Sequence, residues 1–215
     1  MAARRFDPVT PLVRPIDAVL RRYYGIREFT DDPACIFRLS RERAWRRLRL
    51  ADGTPIAPGS WVGELHFWSE HMPKFAKRGP DIAWATDMYR HLRRSFTLLA
   101  IALRDDPAWR DLSAVFGRWA FAGGFGGSHH QPRLLMHAFG LEPFAPDRAF
   151  KQRIHDLMED FLLWGMLRAF NPHALDSHDF FRSREELWVS RAVLLARLGM
   201  GRPPRPRRIA AEPAA

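Results

Sequence analysis

The chain reads as an α+β protein: an N-terminal helix and a small antiparallel sheet of about three strands, packed against four to six helices. Two hydrophobic patterns predict this. Between residues 35 and 68 the apolar residues fall in short extended runs broken by Asp-Gly and Pro-Gly, as in β-hairpins. From Asp81 onward they recur every three or four residues, as in helices with one buried stripe. A length of 215 residues with 47% apolar content is enough to bury a core, which excludes a wholly disordered chain.

Taken in order, Pro15 stands where a first helical turn begins. Ile16, Val19, Leu20, Tyr23 and Tyr24 follow at helical spacing, and Gly25 ends the run. Cys35–Leu39 and Trp45–Leu50 are the first two strand candidates. The turn Ala51-Asp52-Gly53-Thr54 comes next, then Pro58-Gly59, then a third strand at Trp61–Trp68. From Asp81, a helix carries Ile82, Ala85, Met88, Tyr89, Leu92, Phe96, Leu99 and Leu103 on one stripe. Asp106-Pro107 ends it and opens another helix with Leu112, Val115, Phe116 and Trp119.

Gly123-Gly-Phe-Gly-Gly127 breaks the chain, and a short helix around Arg133–Phe139 stops near Gly140. A longer one carries Phe150, Ile154, Leu157, Phe161 and Trp164 as far as Asn171-Pro172. The last helix opens on Ser183-Arg-Glu-Glu186, the spacing of a capping box. Leu187, Leu194, Leu195 and Leu198 form its stripe, Trp188 is its aromatic anchor, and Gly199 lies past its end. No repeat and no linker divides the chain. Residues 12–200 therefore read as a single domain, between an N-terminal segment 1–11 and a disordered Pro/Arg tail 201–215.

The formal charge is +10, and its distribution matters more than its size. Residues 1–50 hold 12 Arg against 6 acids, the tail holds 4 Arg against Glu212, and the middle is within one charge of neutral. Of the 34 basic residues only Lys74, Lys77 and Lys151 are lysine, which a coding bias toward Arg explains better than phosphate chemistry. The densest cluster is Arg41, Arg43, Arg46, Arg47 and Arg49. On a strand, Arg47 and Arg49 share one face and Leu48 and Leu50 the other, as either a phosphate-binding strip or an ordinary solvated face. Lone Cys35 excludes a disulfide scaffold and fits a strand core. The apolar runs at 98–103 and 161–167 fall far short of the roughly 20 residues a membrane span needs. With no signal-type stretch at the start, the expected location is cytoplasmic, and the basic tail suits contact with an anionic surface such as the inner membrane.

The densest polar group is Gly63-Glu64-Leu-His66-Phe-Trp-Ser-Glu70-His71. On a strand Glu64 and His66 share a face, and Glu70 and His71 follow just past its end. Two imidazoles and two carboxylates suit general acid/base work. They also suit a plain structural hydrogen bond. Their spacing matches no well-defined zinc motif, so neither a metal nor a cofactor is expected. The Gly123–Gly127 run has the flexibility of a phosphate loop but neither its lysine nor its spacing, and a helix–helix connection explains it better. His129, His130 and His137 make a poor metal set, since adjacent histidines rarely aim at one ion. Asn171-Pro-His173-Ala-Leu-Asp176-Ser-His178-Asp179 is polar but needs no function as a loop. Ser128 and Ser190 lack a nucleophile-elbow context.

The run from Leu50 to His71, with its Asp-Gly-Thr, Gly-Glu-Leu-His and Glu-His blocks, resembles the YkoP-like family of bacterial proteins. Ala83-Trp-Ala and Arg184-Glu-Glu-Leu-Trp-Val-Ser-Arg191 resemble it too, so the similarity extends over most of 12–200. Where the family pattern carries Asn before the Glu, this sequence has Ser69. Related domains occur alone or beside polysaccharide deacetylase and glycosyltransferase functions. The resemblance thus implies an enzyme or accessory factor of envelope glycolipid or polysaccharide metabolism at the cytoplasmic membrane face. Glu64, His66, Glu70 and His71 would be its catalytic centre. Arg47, Arg49, Arg184 and Arg191 would hold an anionic lipid or sugar-phosphate, and a glycan-processing enzyme would be its protein partner. Two other classes stay open. A nucleic-acid module would use the Arg41–Arg49 strip, against which stand the neutral middle and the lack of any nucleic-acid motif. A structural partner-binding protein would use the polar cluster only to fold.

Overall fold

The computed structural model describes residues 18–19, 21–68, 70–74, 81–119, 137–145 and 185–201. Among them seven strands and two α-helices follow in the order β1 (Phe37–Arg43), β2 (Leu48–Arg49), β3 (Pro55–Ile56), β4 (Trp61–Phe67), α1 (Ile82–Asp105), β5 (Ala114–Trp119), β6 (Glu142–Phe144), β7 (Glu185–Ser190) and α2 (Arg191–Arg197). A single 3-10 turn at Pro107–Trp109 follows α1, and residues 18–19, 21–23 and 137–139 are helical. The class is α+β.

The sheet departs from expectation. β1 and β4 pair antiparallel and form the flank of a five-stranded mixed sheet with strand order β1-β4-β5-β7-β6, in place of the small antiparallel sheet of about three strands. β4 and β5 run parallel, a pairing that requires a long crossover, and α1 supplies it. The predicted strand at 45–50 shrinks to β2, which pairs with β3 in a separate ribbon, Leu48 opposite Ile56 and Arg49 opposite Pro55. The turn between them is the Asp-Gly turn. Asp52 accepts the Thr54 N–H at 3.0 Å and the Thr54 hydroxyl at 2.8 Å, and Gly53 takes φ +87°, a conformation that disfavours side chains.

Two predicted helices are strands. The stretch after Pro107 makes one 3-10 turn and becomes β5, whose Val115 and Phe116 are buried. The helix expected to run on from Glu186 is a strand at its start: residues 185–190 are β7, and the N-cap of α2 is Ser190, whose hydroxyl accepts the Val193 N–H at 3.0 Å. β5 and β7 are inner strands covered on both faces, so they read as continuous apolar runs and lose the alternation that marks a strand. α2 ends before Gly199, as expected. The expected helix over 150–172, the Gly123–Gly127 break, the segment 1–11 and nearly all of the tail lie outside the described residues.

α1 forms where the helical stripe predicts it. Asp81 caps it, accepting the Trp84 N–H at 2.8 Å. Met88, Leu92, Phe96, Leu99 and Leu103 are buried as predicted, and each such burial stabilises by about 1.5–3 kcal/mol. The buried arc also takes in Trp84, which leaves Ile82 and Tyr89 outside it at 87% and 43% exposure. α1 packs on the sheet face bearing Phe37, Leu39, Leu65, Val115, Leu187 and Val189, with Phe96 5.1 Å from the Phe37 ring. Ser95 pins the strand entry, accepting the Ile36 N–H at 2.9 Å and donating to the His91 carbonyl at 2.7 Å. On the opposite face a second core joins Val62, Ala114, Phe116 and Trp188 to Ala44, Leu50 and Ile56 around the ribbon. Phe116 stacks on Trp188 at 4.5 Å.

Candidate functional site

Strand alternation puts Arg38 and Ser40 of β1 on the same sheet face as Glu64 and His66 of β4, away from α1. The register sets Arg38 opposite His66 and Ser40 opposite Glu64. Beyond the Leu65–Gly117 pair, one step further brings Arg118 of β5 beside His66 on that face. Arg118 in turn lies opposite Glu186 of β7. A polar row therefore crosses four strands, Arg38–His66–Arg118–Glu186, with Ser40 and Glu64 one rung behind.

At its centre His66 Nε2 lies 2.9 Å from Ser40 Oγ and 3.8 Å from Glu64 Oε2. Ser40 is fully buried, Glu64 is 13% exposed and His66 26%. One ring nitrogen therefore faces both a buried hydroxyl and a carboxylate. The arrangement is not a serine-nucleophile triad. There the carboxylate holds Nδ1 while the hydroxyl faces Nε2; here both groups address Nε2, and the serine is shut off from solvent.

The four predicted catalytic residues separate. Glu64 and His66 meet. Glu70 joins them through Arg38, with its carboxylate 3.2 Å from Arg38 Nη2. Arg38 is 4% exposed, also faces Glu28 at 3.4 Å, and lies 4.3 Å above the Trp68 ring. His71 is engaged elsewhere: its ring stacks on Trp68 at 3.7 Å and Nδ1 lies 2.8 Å from the Cys35 carbonyl. Since a carbonyl only accepts, that nitrogen carries the proton.

The arginine cluster divides too. Arg41 donates to the Ala108 carbonyl and to Asp111. Arg43 donates to the Gly59 carbonyl and covers Trp61 at 3.6 Å. Arg46 reaches the Ala145 carbonyl and Glu186. Arg47 and Arg49 remain exposed beside the ribbon. Arg191 turns inward, donating from Nε and Nη2 to the Leu103 carbonyl near the C-terminus of α1. Arg184, His129, His130 and the 171–179 motif lie outside the described residues. His137 is described and exposed. Among the described residues no three His, Cys, Asp or Glu side chains converge as a metal ion would require.

Glu186 receives hydrogen bonds from Arg46 and from the Trp188 indole and is 3% exposed. Arg118 and Arg46 each lie 5.9 Å from the Trp45 ring. Sequence reasoning missed Arg38, Ser40 and Arg118. The first two were legible as polar positions alternating with Phe37 and Leu39. Arg118 was hidden once its strand read as a helix.

A family model described as the YkoP domain matches residues 9–125, just over half of the chain. That span holds Arg38, Ser40, Arg46, Glu64, His66 and Arg118, whereas Glu186 and the 184–191 stretch lie beyond it. No curated protein and no solved structure matches the chain.

Proposed function

The chain belongs to the YkoP domain family, and from that premise we propose an enzyme or accessory factor of bacterial envelope glycolipid or polysaccharide metabolism, working at the cytoplasmic membrane face. Its site is the polar row of the sheet. The observation that carries this reading is the placing of His66 between Arg38 and Arg118 on one sheet face, with Glu64 at 3.8 Å.

In this reading His66 moves a proton on the substrate while Glu64 stabilises the imidazolium. Arg118 directs the phosphate or carboxylate of a sugar-phosphate or anionic lipid toward it, through the fork geometry that suits Arg to such groups. Glu70 acts through Arg38, and His71 holds the strand end. Arg47 and Arg49, exposed beside the ribbon, add positive potential, whereas Arg191 serves the fold. Arg41, Arg43 and Arg46 each donate to a carbonyl, so the strip that a nucleic-acid module would need is partly engaged within the fold, with Arg43, Arg47 and Arg49 exposed.

The test is complementation of a deletion strain by Glu64→Gln/His66→Asn. The variant is expected to fold, by circular dichroism and thermal melting, and to fail to complement. Full complementation by the folded variant would remove the site. A variant that does not fold would assign the pair to structure, as in a purely structural partner-binding protein.

A further inference from the structure

We infer that the outward face of α1 is a docking surface for an anionic lipid bilayer. This 24-residue helix leaves Ile82 87%, Tyr89 43% and Ile101 37% exposed. Tyr89 also meets the core ring of Phe139 at 6.4 Å, and Ala100 on the same arc is buried. Arg90 and Arg93 are exposed among them. At 3.6 residues per turn all five fall within about 120° of the helix circumference and spread over roughly 28 Å of its length.

The other charges on the helix are spoken for or lie aside. Arg94 pairs with Asp32 at 2.6 Å, Arg104 with Asp105 at 2.7 Å, and Asp87 faces His91 at 3.9 Å. Arg90 and Arg93 have no ion-pair partner among the described residues. No acid stands between Asp87 and Asp105 in the sequence, so the middle of this face carries only positive charge.

Exposed arginines between isoleucines and a tyrosine match the headgroup region of an anionic bilayer. Guanidinium groups meet lipid phosphates while their stems lie along apolar surface, and a tyrosine ring sits at the boundary. The surface attraction of two arginines is weak, reversible and sensitive to salt. No helix among the described residues is long and apolar enough to cross a membrane, so contact through α1 is peripheral. The inference deepens the proposed function, on which its biological purpose rests, by naming the surface that brings the sheet site to a lipid-borne substrate.

The experiment is cosedimentation of the full chain with phosphatidylcholine vesicles, with and without phosphatidylglycerol. Binding is expected only to the anionic vesicles, and Arg90→Ala/Arg93→Ala should weaken it about 30-fold. Ile82→Ser/Tyr89→Ser should weaken it as well, at low and at high salt. Glu64→Gln/His66→Asn should bind as the parent does, so a failed sheet site and a failed docking surface give different results. The proposal is overturned by equal binding to neutral vesicles or by no binding at all. It is also overturned if binding follows Arg47 and Arg49, or the tail residues Arg205, Arg207 and Arg208, rather than α1.

Discussion

Arg46, in the link between β1 and β2, forms an ion pair with Glu186 of β7, 140 positions further along the chain. Glu186 is 3% exposed and Arg46 about a quarter exposed. The pair ties the ribbon side of the sheet to its inner strand, next to Arg118. Removing one partner strands the other charge in a poorly solvated place.

Glu186→Ala should therefore lower stability by about 3 kcal/mol, read as a shift of the urea midpoint at unchanged slope. Glu186→Gln keeps an acceptor for the Trp188 indole and should fall between the two. A loss below about 1 kcal/mol for the alanine variant would mean that solvent already screens the pair.

Ser40→Ala tests the geometry at His66. The variant loses one hydrogen bond and should be less stable by about 1 kcal/mol. Because the hydroxyl shares Nε2 with Glu64 and is buried, complementation should survive. A loss of complementation as complete as that of the His66 variant would overturn this and make the Ser40 hydroxyl part of the chemistry.

Two carboxylates give opposite pH dependence. The Ala34 N–H, and then Arg94, hold Asp32 below its ordinary value of 3.8. Its contribution is present above that value and is lost as the pH falls through the lower, folded one. Burial pushes Glu142 above its ordinary value of 4.5, against the Ala51 N–H that it accepts. Its contribution is present below that value and is lost as the pH rises through the higher, folded one. Asp32→Asn should flatten the acid limb of a plot of Tm against pH. Glu142→Gln, which still accepts from Ala51, should raise Tm at pH 7 and not at the acid end. Parallel curves for either variant and the parent would contradict the assignment.

Gly140 and Gly199 separate backbone strain from crowding. Both have positive φ, +73° and +72°. A methyl group at Gly140 would lie 2.5 Å from Val193 Cγ1, whereas one at Gly199 meets nothing within 4 Å. Gly199→Ala should cost about 1–2 kcal/mol, and Gly140→Ala clearly more in the same urea titration. Adding Val193→Ala should recover only the excess. Equal costs at the two sites would show that α2 yields without penalty.

Local signals made part of this fold legible. The Asp52-Gly53 turn is encoded by an aspartate that caps its own turn and a glycine at positive φ. α1 is encoded by the Asp81 cap and a stripe from Met88 to Leu103. The placing of Glu64 and His66 on one face follows from the period of a strand. What failed was local inference about buried strands. Ala114–Trp119 and Glu185–Ser190 are inner strands, and burial on both faces erased the alternation that would have distinguished them from helices.

The α+β class, the hairpin turn, the long helix and the Glu64–His66 pairing are local outcomes, because each depends on residues a few positions apart. That β4 and β5 run parallel across α1, and that Arg38, Ser40, Arg118 and Glu186 share one sheet face with His66, was set by tertiary packing. It also decided which arginines are consumed by carbonyls and carboxylates and which remain exposed. Those outcomes depend on register between segments far apart in the chain. A register is chosen by the burial of whole strand faces, which no short stretch of sequence carries.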